Sequence, residues 1–250
     1  MFSRRVSQSS GKVIFLTGAG ISAESGIPTF RGTDGYWSSG SKNYRPQELG
    51  TLNAFSEVPE VVWEWYLHRR EICHGAEPNT AHQALVKLEE ILGDRFLLVT
   101  QNVDGLHLRA GNSVERTFEV HGNIDYFRCS KNCSFQRHRL TENAIPTCPA
   151  CGAMGRPHLL WFDECYDEER YRYQSSKAAA LKASVLVSVG TSGQTNLPTQ
   201  MGKLAKSAGA LLIDINPESN PFSLMAQGSG GQWLRGPAST GMNRLLESLQ

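Results

Sequence analysis

Residues Val13-Ile14-Phe15-Leu16-Thr17 form an apolar run of strand length that breaks into Gly18-Ala19-Gly20-Ile21-Ser22-Ala23. A buried strand ending in Gly-x-Gly-x-x-Gly/Ala has the form of a dinucleotide turn. The first glycine makes the tight turn, the second lets backbone approach a pyrophosphate, and the small third residue packs helix on strand. N–H groups at the following helix start face the anion. Alone, the pattern also fits a plain turn before a core helix. Its context narrows the choice. Gly26, Pro28, Gly32 and Gly35 keep the chain irregular to about Trp37, yet Phe30, Arg31, Tyr36 and Trp37 are poor residues for disorder. The sequence predicts a mobile loop that folds over a ligand. A dehydrogenase of this type needs a second strand ending in an acid about 20 residues on. Ser38-Ser39-Gly40-Ser41-Lys42-Asn43-Tyr44-Arg45 stands there instead, so the dinucleotide must be held differently.

Further strands follow the same grammar. Phe96–Thr100 runs into Gln101-Asn102-Val103-Asp104, and Phe118–Val120 into His121-Gly122-Asn123. Ala183–Val189 runs into Gly190-Thr191-Ser192-Gly193, and Ala210–Ile215 into Asn216-Pro217-Glu218. Helical patterns lie between, at His82–Leu92 and Lys203–Ala208, with Met242–Leu249 closing the chain. Asp163, Glu164, Asp167, Glu168 and Glu169 suit a helix start, and Gly228–Gly236 reads as loop. Strands alternating with helices predict an α/β fold with a doubly wound parallel sheet. In such sheets ligands sit beyond the carboxyl ends of strands, so the polar strand ends are the site candidates. Capping turns explain some of them equally well.

Cys129-x3-Cys133 and Cys148-x2-Cys151, 14 residues apart, offer four thiolates for one tetrahedral zinc. No histidine or carboxylate completes an open site, so the zinc is structural. Cys73 and Cys165 are ordinary thiols. With Lys+Arg 25 against Asp+Glu 24, the net charge of +1 gives no bulk attraction to nucleic acid or an anionic membrane. No apolar run approaches the roughly 20 residues that span a bilayer. Residues 1–11 lack a secretory signal's apolar segment and read as a flexible N-terminus. The expectation is a cytoplasmic monomer.

Ser56 and Pro59 open a helix that Gly75 closes. At about 100° per residue, Val58, Val61, Val62, Trp65, Ile72 and Cys73 form one apolar stripe, with Glu60, Glu64 and Glu71 opposite. Arg69 falls near the middle of the stripe, Tyr66 lies at its edge one turn earlier, and Arg70 points outward. A cation in an apolar face needs an anionic partner; a structural salt bridge or a snorkelling stem meets that need as well as a ligand does.

Together these segments, in this order, resemble the sirtuins, NAD-dependent protein lysine deacylases. The resemblance rests on Gly18–Ser22, Gly26–Arg31, Gln101–Asp104, His121–Asn123, the four cysteines, Gly190–Ser192 and Asn216–Glu218, and covers the chain from about Lys12 to its end. It implies a Rossmann-like NAD-binding domain from segments 12–40, 76–125 and 158–250. It implies a small zinc-ribbon/helical domain from a helical insertion, 41–75, and a zinc module, 126–157. NAD and acyl-lysine would meet in the cleft between them. By position, Gly18, Ala19, Gly20, Glu24, Phe30, Arg31 and Trp37 would form the NAD loop. Gln101, Asn102, Val103 and Asp104 would face the ribose and nicotinamide, and Gly190, Thr191 and Ser192 the phosphate and ribose. Asn216, Pro217 and Glu218 would bind the adenosine ribose, with Ala238 by the adenine. His121 would be the general base, its pKa near working pH. The implied chemistry starts with attack of the acyl oxygen on C1′, expelling nicotinamide. Deprotonation of a ribose hydroxyl by His121 then gives free lysine and O-acyl-ADP-ribose. Tyr66-x-x-Arg69 is similar to the Tyr-x-x-Arg of sirtuins that remove succinyl, malonyl and glutaryl groups, so the implied substrates are acidic acyl-lysines on protein or peptide, with weaker deacetylation.

Two departures from the family pattern stand out. Asp163 replaces the glycine after Trp-Phe, which puts peptide pairing in doubt and offers a carboxylate that would repel acidic substrates. Gly193–Pro198 is one residue longer than expected. Two other readings share the cofactor motifs: a sirtuin-fold protein ADP-ribosyltransferase, and a non-catalytic NAD-sensing module.

Overall fold

The structure, a computed structural model, describes residues 1–29 and 46–250. Its strands are β1 Lys12–Thr17, β2 Phe96–Thr100, β3 Thr117–Glu119, β4 Gly122–Cys129, β5 Arg137–Arg139, β6 Gly155–Leu159, β7 Ala183–Val189, β8 Leu211–Asn216 and β9 Gln232–Arg235. The α-helices are α1 Phe2–Gln8, α2 Pro46–Leu49, α3 Leu52–Glu57, α4 Pro59–Gly75, α5 Thr80–Leu92, α6 Leu106–Ala110, α7 Glu168–Tyr171, α8 Tyr173–Leu181, α9 Asn196–Ser207, α10 Pro221–Gln227 and α11 Ala238–Glu247. Six strands pair in parallel in the order β3-β2-β1-β7-β8-β9, so the doubly wound sheet is as expected. Strand order reverses between β1 and β7, and a crevice opens at such a switch point.

Alternation along β1 shows why the run is continuously apolar. Val13 and Phe15 enter one core with α5 and α11, while Ile14 and Leu16 enter another with α9 and α10. A parallel sheet buried on both faces has no polar side. A separate antiparallel sheet, β5-β4-β6, packs with α3 and α4 around a third core holding Trp63, Trp65, Tyr66, Phe127 and Trp161.

Four expectations are corrected. Residues 1–11 are not a loose terminus: α1 buries Phe2 and Val6 in the first core, and Arg95 Nη1 donates to the Val6 carbonyl at 2.9 Å. Gly228–Gly236 contains the edge strand β9, which a glycine count hides. Gly231 is there because a Cβ would sit 1.9 Å from the Leu212 carbonyl oxygen. The helix after Asp163 begins only at Glu168, with Asp167 as its cap accepting from Arg170 N at 2.7 Å. Arg70 turns inward, pairing with Asp125 at 2.9 Å and donating to the Leu140 carbonyl at 2.8 Å. A helical wheel carries no information about β4, which brings Asp125 to α4 from the side.

Burial keeps His82 and His158 neutral, as it does His107 and His121. It pushes His82 down to about 4 and, aided by Arg128, His158 down to about 3. An unfolded imidazole titrates near 6.5, so the unfolded chain binds protons that the fold rejects. Stability is therefore full above about pH 6.5 and falls as pH drops toward these folded values. Calorimetry at constant ionic strength should show Tm declining between about pH 6.5 and 5. A flat Tm there would mean these imidazoles are hydrated.

Candidate active site

The carboxyl ends of β1 and β7 cross at the switch point with no room for side chains. Gly20 N donates to the Gly190 carbonyl at 2.9 Å, and a Cβ on Gly20 would lie 2.6 Å from Gly190 Cα. Gly190 itself has φ +61°, the left-handed region that glycine favours. Gly18 is equally confined, with a Cβ falling 2.8 Å from the same carbonyl oxygen. The second glycine thus serves loop-on-loop packing, a role the dinucleotide pattern alone does not reveal. Short 3-10 turns at Ala19–Ile21 and Ala23–Ser25 follow in place of a regular helix. Glu24 reaches α11 beside Ala238, accepting from Ser239 N at 2.9 Å and Ser239 Oγ at 2.6 Å. Phe30, Arg31 and Trp37, with the loop predicted to close over ligand, lie outside the described residues.

The end of β2 is tied to both neighbours. Gln101 Nε2 donates to Thr191 Oγ1 at 2.9 Å and its Oε1 accepts from Thr195 Oγ1 at 2.7 Å. Asn102 Nδ2 donates to Ser22 Oγ at 3.0 Å, and Ser22 Oγ donates to Asp104 at 2.8 Å. Asp104 also accepts from Leu106 N, while burial raises its pKa. Val103 accepts from Ile124 N at 2.9 Å, joining the large sheet to β4. At the end of β8, Asn216 is buried and donates to Asp214 at 2.8 Å, whereas Glu218 and Ser192 are exposed. The Pro217 carbonyl accepts from Arg235 Nε at 3.2 Å. Ser22 and Thr195 complete these networks; hydroxyls are too common in loops to have been singled out by sequence.

His121 stands where β3 hands the chain to β4. Its Nδ1 donates to the Gln101 carbonyl at 3.0 Å, because a carbonyl can only accept, and this leaves the lone pair on Nε2. The Tyr166 hydroxyl lies 2.8 Å from Nε2. Burial pushes His121 down to about 4, opposed by the Gln101 hydrogen bond, so its pKa is not near working pH as expected. The imidazole is neutral at pH 7 and able to accept a proton.

Asp163 is exposed and caps a helix. Its two carboxylate oxygens accept from Leu52 N at 2.8 Å and Asn53 N at 3.1 Å, at the start of α3. Glu164 clamps Arg156 at 2.7 and 2.8 Å and meets Arg128 at 3.1 Å. The Arg156 guanidinium lies 3.5 Å over Trp161, whose indole N–H donates to Tyr66 Oη at 2.9 Å. Tyr66 is buried and pushed up to about 12, so it keeps a proton to donate. Arg69, one turn on, is half-buried and lies 4.9 Å over Trp65.

The sulfurs of Cys129, Cys133, Cys148 and Cys151 all lie within 4.8 Å of one another and form no disulfide. Two pairs are 3.5 Å apart. A tetrahedron with Zn–S of about 2.3 Å has sulfurs about 3.8 Å apart, so the cluster fits zinc.

A doubly wound sheet with a glycine crossing at its switch point, a neutral histidine where it meets a small domain, and a four-cysteine cluster define a nucleotide-type α/β enzyme with a structural metal module. The chain belongs to the Sir2 family, whose model matches residues 18–196. It is 44% identical over 230 residues to an NAD-dependent protein deacylase of Leptospira interrogans, covering 89% of this chain and 90% of that protein. It is 40% identical over 243 residues to one of Aquifex aeolicus, covering 95% of each. Among solved structures, a Sir2 homologue–NAD complex is 35% identical with TM-score 0.84 over 99% of this chain and 92% of that one. A Sir2–p53 peptide–NAD+ structure is 26% identical with TM-score 0.79 over 98% and 96%. Among the described residues no helix is long and apolar enough to cross a membrane.

Proposed function

We propose that this chain is an NAD-dependent protein-lysine deacylase that prefers succinyl- or malonyl-lysine. The deacylase reading is supported by family membership over most of the chain. NAD, consumed each turnover, supplies an electrophilic C1′ and a nicotinamide leaving group. His121 takes the proton of a ribose hydroxyl at Nε2, while Gln101 and Asn102 hold the adjoining wall. Gly18, Gly20, Gly190 and Thr191 shape the phosphate path, and Asn216, Glu218 and Ala238 the adenosine end. Cys129, Cys133, Cys148 and Cys151 hold zinc away from the chemistry.

The observation that carries the acyl preference is the wall of Tyr66 and Arg69. The Tyr66 oxygen already accepts from Trp161, so its remaining hydrogen is free to be given to an acyl carboxylate. Arg69 offers a planar fork to the same group. Both Asp163 oxygens are engaged at the start of α3, which weakens the case that it repels an acidic acyl group. Hydrogen bonds to charged groups contribute about 1.5–3 kcal/mol each, so succinyl-lysine should exceed acetyl-lysine in kcat/KM by about 10- to 100-fold or more. Arg69→Met should cut acidic-acyl turnover and spare deacetylation; Tyr66→Phe should act in the same direction more weakly. Matched acetyl, malonyl, succinyl and glutaryl peptides measure this. An equal loss on all four in Arg69→Met reduces Arg69 to a structural role. ADP-ribose found on protein with acyl-lysine intact would favour the ADP-ribosyltransferase reading instead.

A further inference from the structure

An imidazole Nε2 has one lone pair, and in this protein a second side chain already occupies it. The Tyr166 hydroxyl sits 2.8 Å from His121 Nε2, and Nδ1 is committed to the Gln101 carbonyl. The tyrosine must be the donor, since Nε2 bears no hydrogen in that tautomer. A ribose hydroxyl can therefore reach the base only by displacing Tyr166 or by passing its proton through it.

Packing distinguishes these routes. The partly buried Tyr166 ring packs against the second core, stacks on Tyr173 at 5.8 Å and 20°, and meets Tyr171 edge-on at 6.5 Å. Tyr173 and Tyr171 belong to α8 and α7, so residues of two helices hold the ring. Swinging it out would strip both ring contacts along with the apolar area they bury. We infer that Tyr166 is a catalytic proton relay between the ribose hydroxyl and His121. The ribose O–H bond breaks as its proton moves to the Tyr166 oxygen, and the Tyr166 proton moves to His121 Nε2. The freed ribose oxygen pair forms the bond to the acyl carbon of the alkylimidate, whose C=N π bond breaks with its electron pair moving onto the lysine nitrogen. Tyr166 ends neutral and His121 ends as imidazolium. Burial pushes the Tyr166 hydroxyl well above its ordinary value, so a free phenolate does not accumulate and the two transfers run together.

This inference rests on the deacylase reading, because it concerns the step after nicotinamide departs. Two assays on the full zinc-loaded chain separate the steps: exchange of labelled nicotinamide into NAD reports the first, and single-turnover formation of acyl-ADP-ribose reports the second. Tyr166→Phe keeps the ring and its stacking. It should leave exchange within about twofold of wild type, which also checks folding, while slowing acyl transfer by about 10- to 100-fold. Adding Tyr166→Phe to His121→Ala should cause no further loss, since both act on one proton path. In wild type, acyl transfer in H2O/D2O mixtures should show a curved dependence, as two protons move together. Unchanged or faster transfer in Tyr166→Phe, or a linear wild-type dependence, would overturn the relay and leave Tyr166 a mere cap on the resting base. Failure of wild type to deacylate any acyl peptide would sink the deacylase reading itself, a distinct outcome.

Discussion

His121→Ala is expected to abolish acyl transfer while leaving NAD bound. A positioned base contributes about 10²- to 10⁴-fold to rate, and in the proposed function the imidazole would be one contact among many along the dinucleotide path. Calorimetric Kd for NAD should move little, and nicotinamide exchange should persist. Normal deacylation by the variant would show that the proton leaves by another route. The pH profile carries a second expectation. Burial holds His121 neutral down to about pH 4, so the acid limb of kcat/KM should lie near that value. The neutral form is the competent one, and it is lost only as pH falls through the folded pKa. An acid limb near 6.5 would mean that water reaches the imidazole in the working enzyme.

Removing the metal should have the other large effect. Segment 126–157 has only short strands and little apolar residue to bury, and domains this small rarely fold without a metal or disulfides. Structural zinc in such modules supplies about 10–16 kcal/mol of apparent binding free energy at pH 7. One equivalent of zinc should copurify, measurable by atomic absorption. Cys148→Ser should unfold this module or make the chain insoluble, and a strong chelator should do so reversibly. The damage should spread to the site, because β4 runs from Gly122, next to His121, to the ligand Cys129. A soluble, active, zinc-free protein would show that the four thiols stabilise nothing.

Where sequence was readable, it was because the signal was local. Strand β1 and its glycine turn, the neighbouring buried strands and the paired cysteines depend on burial, chirality and spacing within a few residues. Helix α4 was bounded correctly by Pro59 and Gly75 for the same reason. The placing of His121 at a strand end was legible too, a topological property that alternating strands and helices already imply, whereas its proposed role as base came from the family resemblance.

What sequence left open depended on neighbours distant along the chain. Arg69 and Arg70 are adjacent, yet one lies over Trp65 while the other is bound by Asp125, 55 residues away. Asp163 looks like a helix-starting acid in sequence, and it does cap a helix, but α3, 110 residues earlier. Gly20 fits a phosphate turn by pattern, while the contact that forbids a side chain there is Gly190 from another strand. Tyr166 belongs to no motif, and its link to His121 exists only because residues of α7 and α8 hold its ring. By itself, then, the sequence determined the alternating strands and helices, the cysteine set and the polar strand ends, because each is a property of short windows. Tertiary structure alone decided which charges are paired, which glycines are crowded and what meets the lone pair of the base, because hydrogen bonds and close packing act across space regardless of separation along the chain.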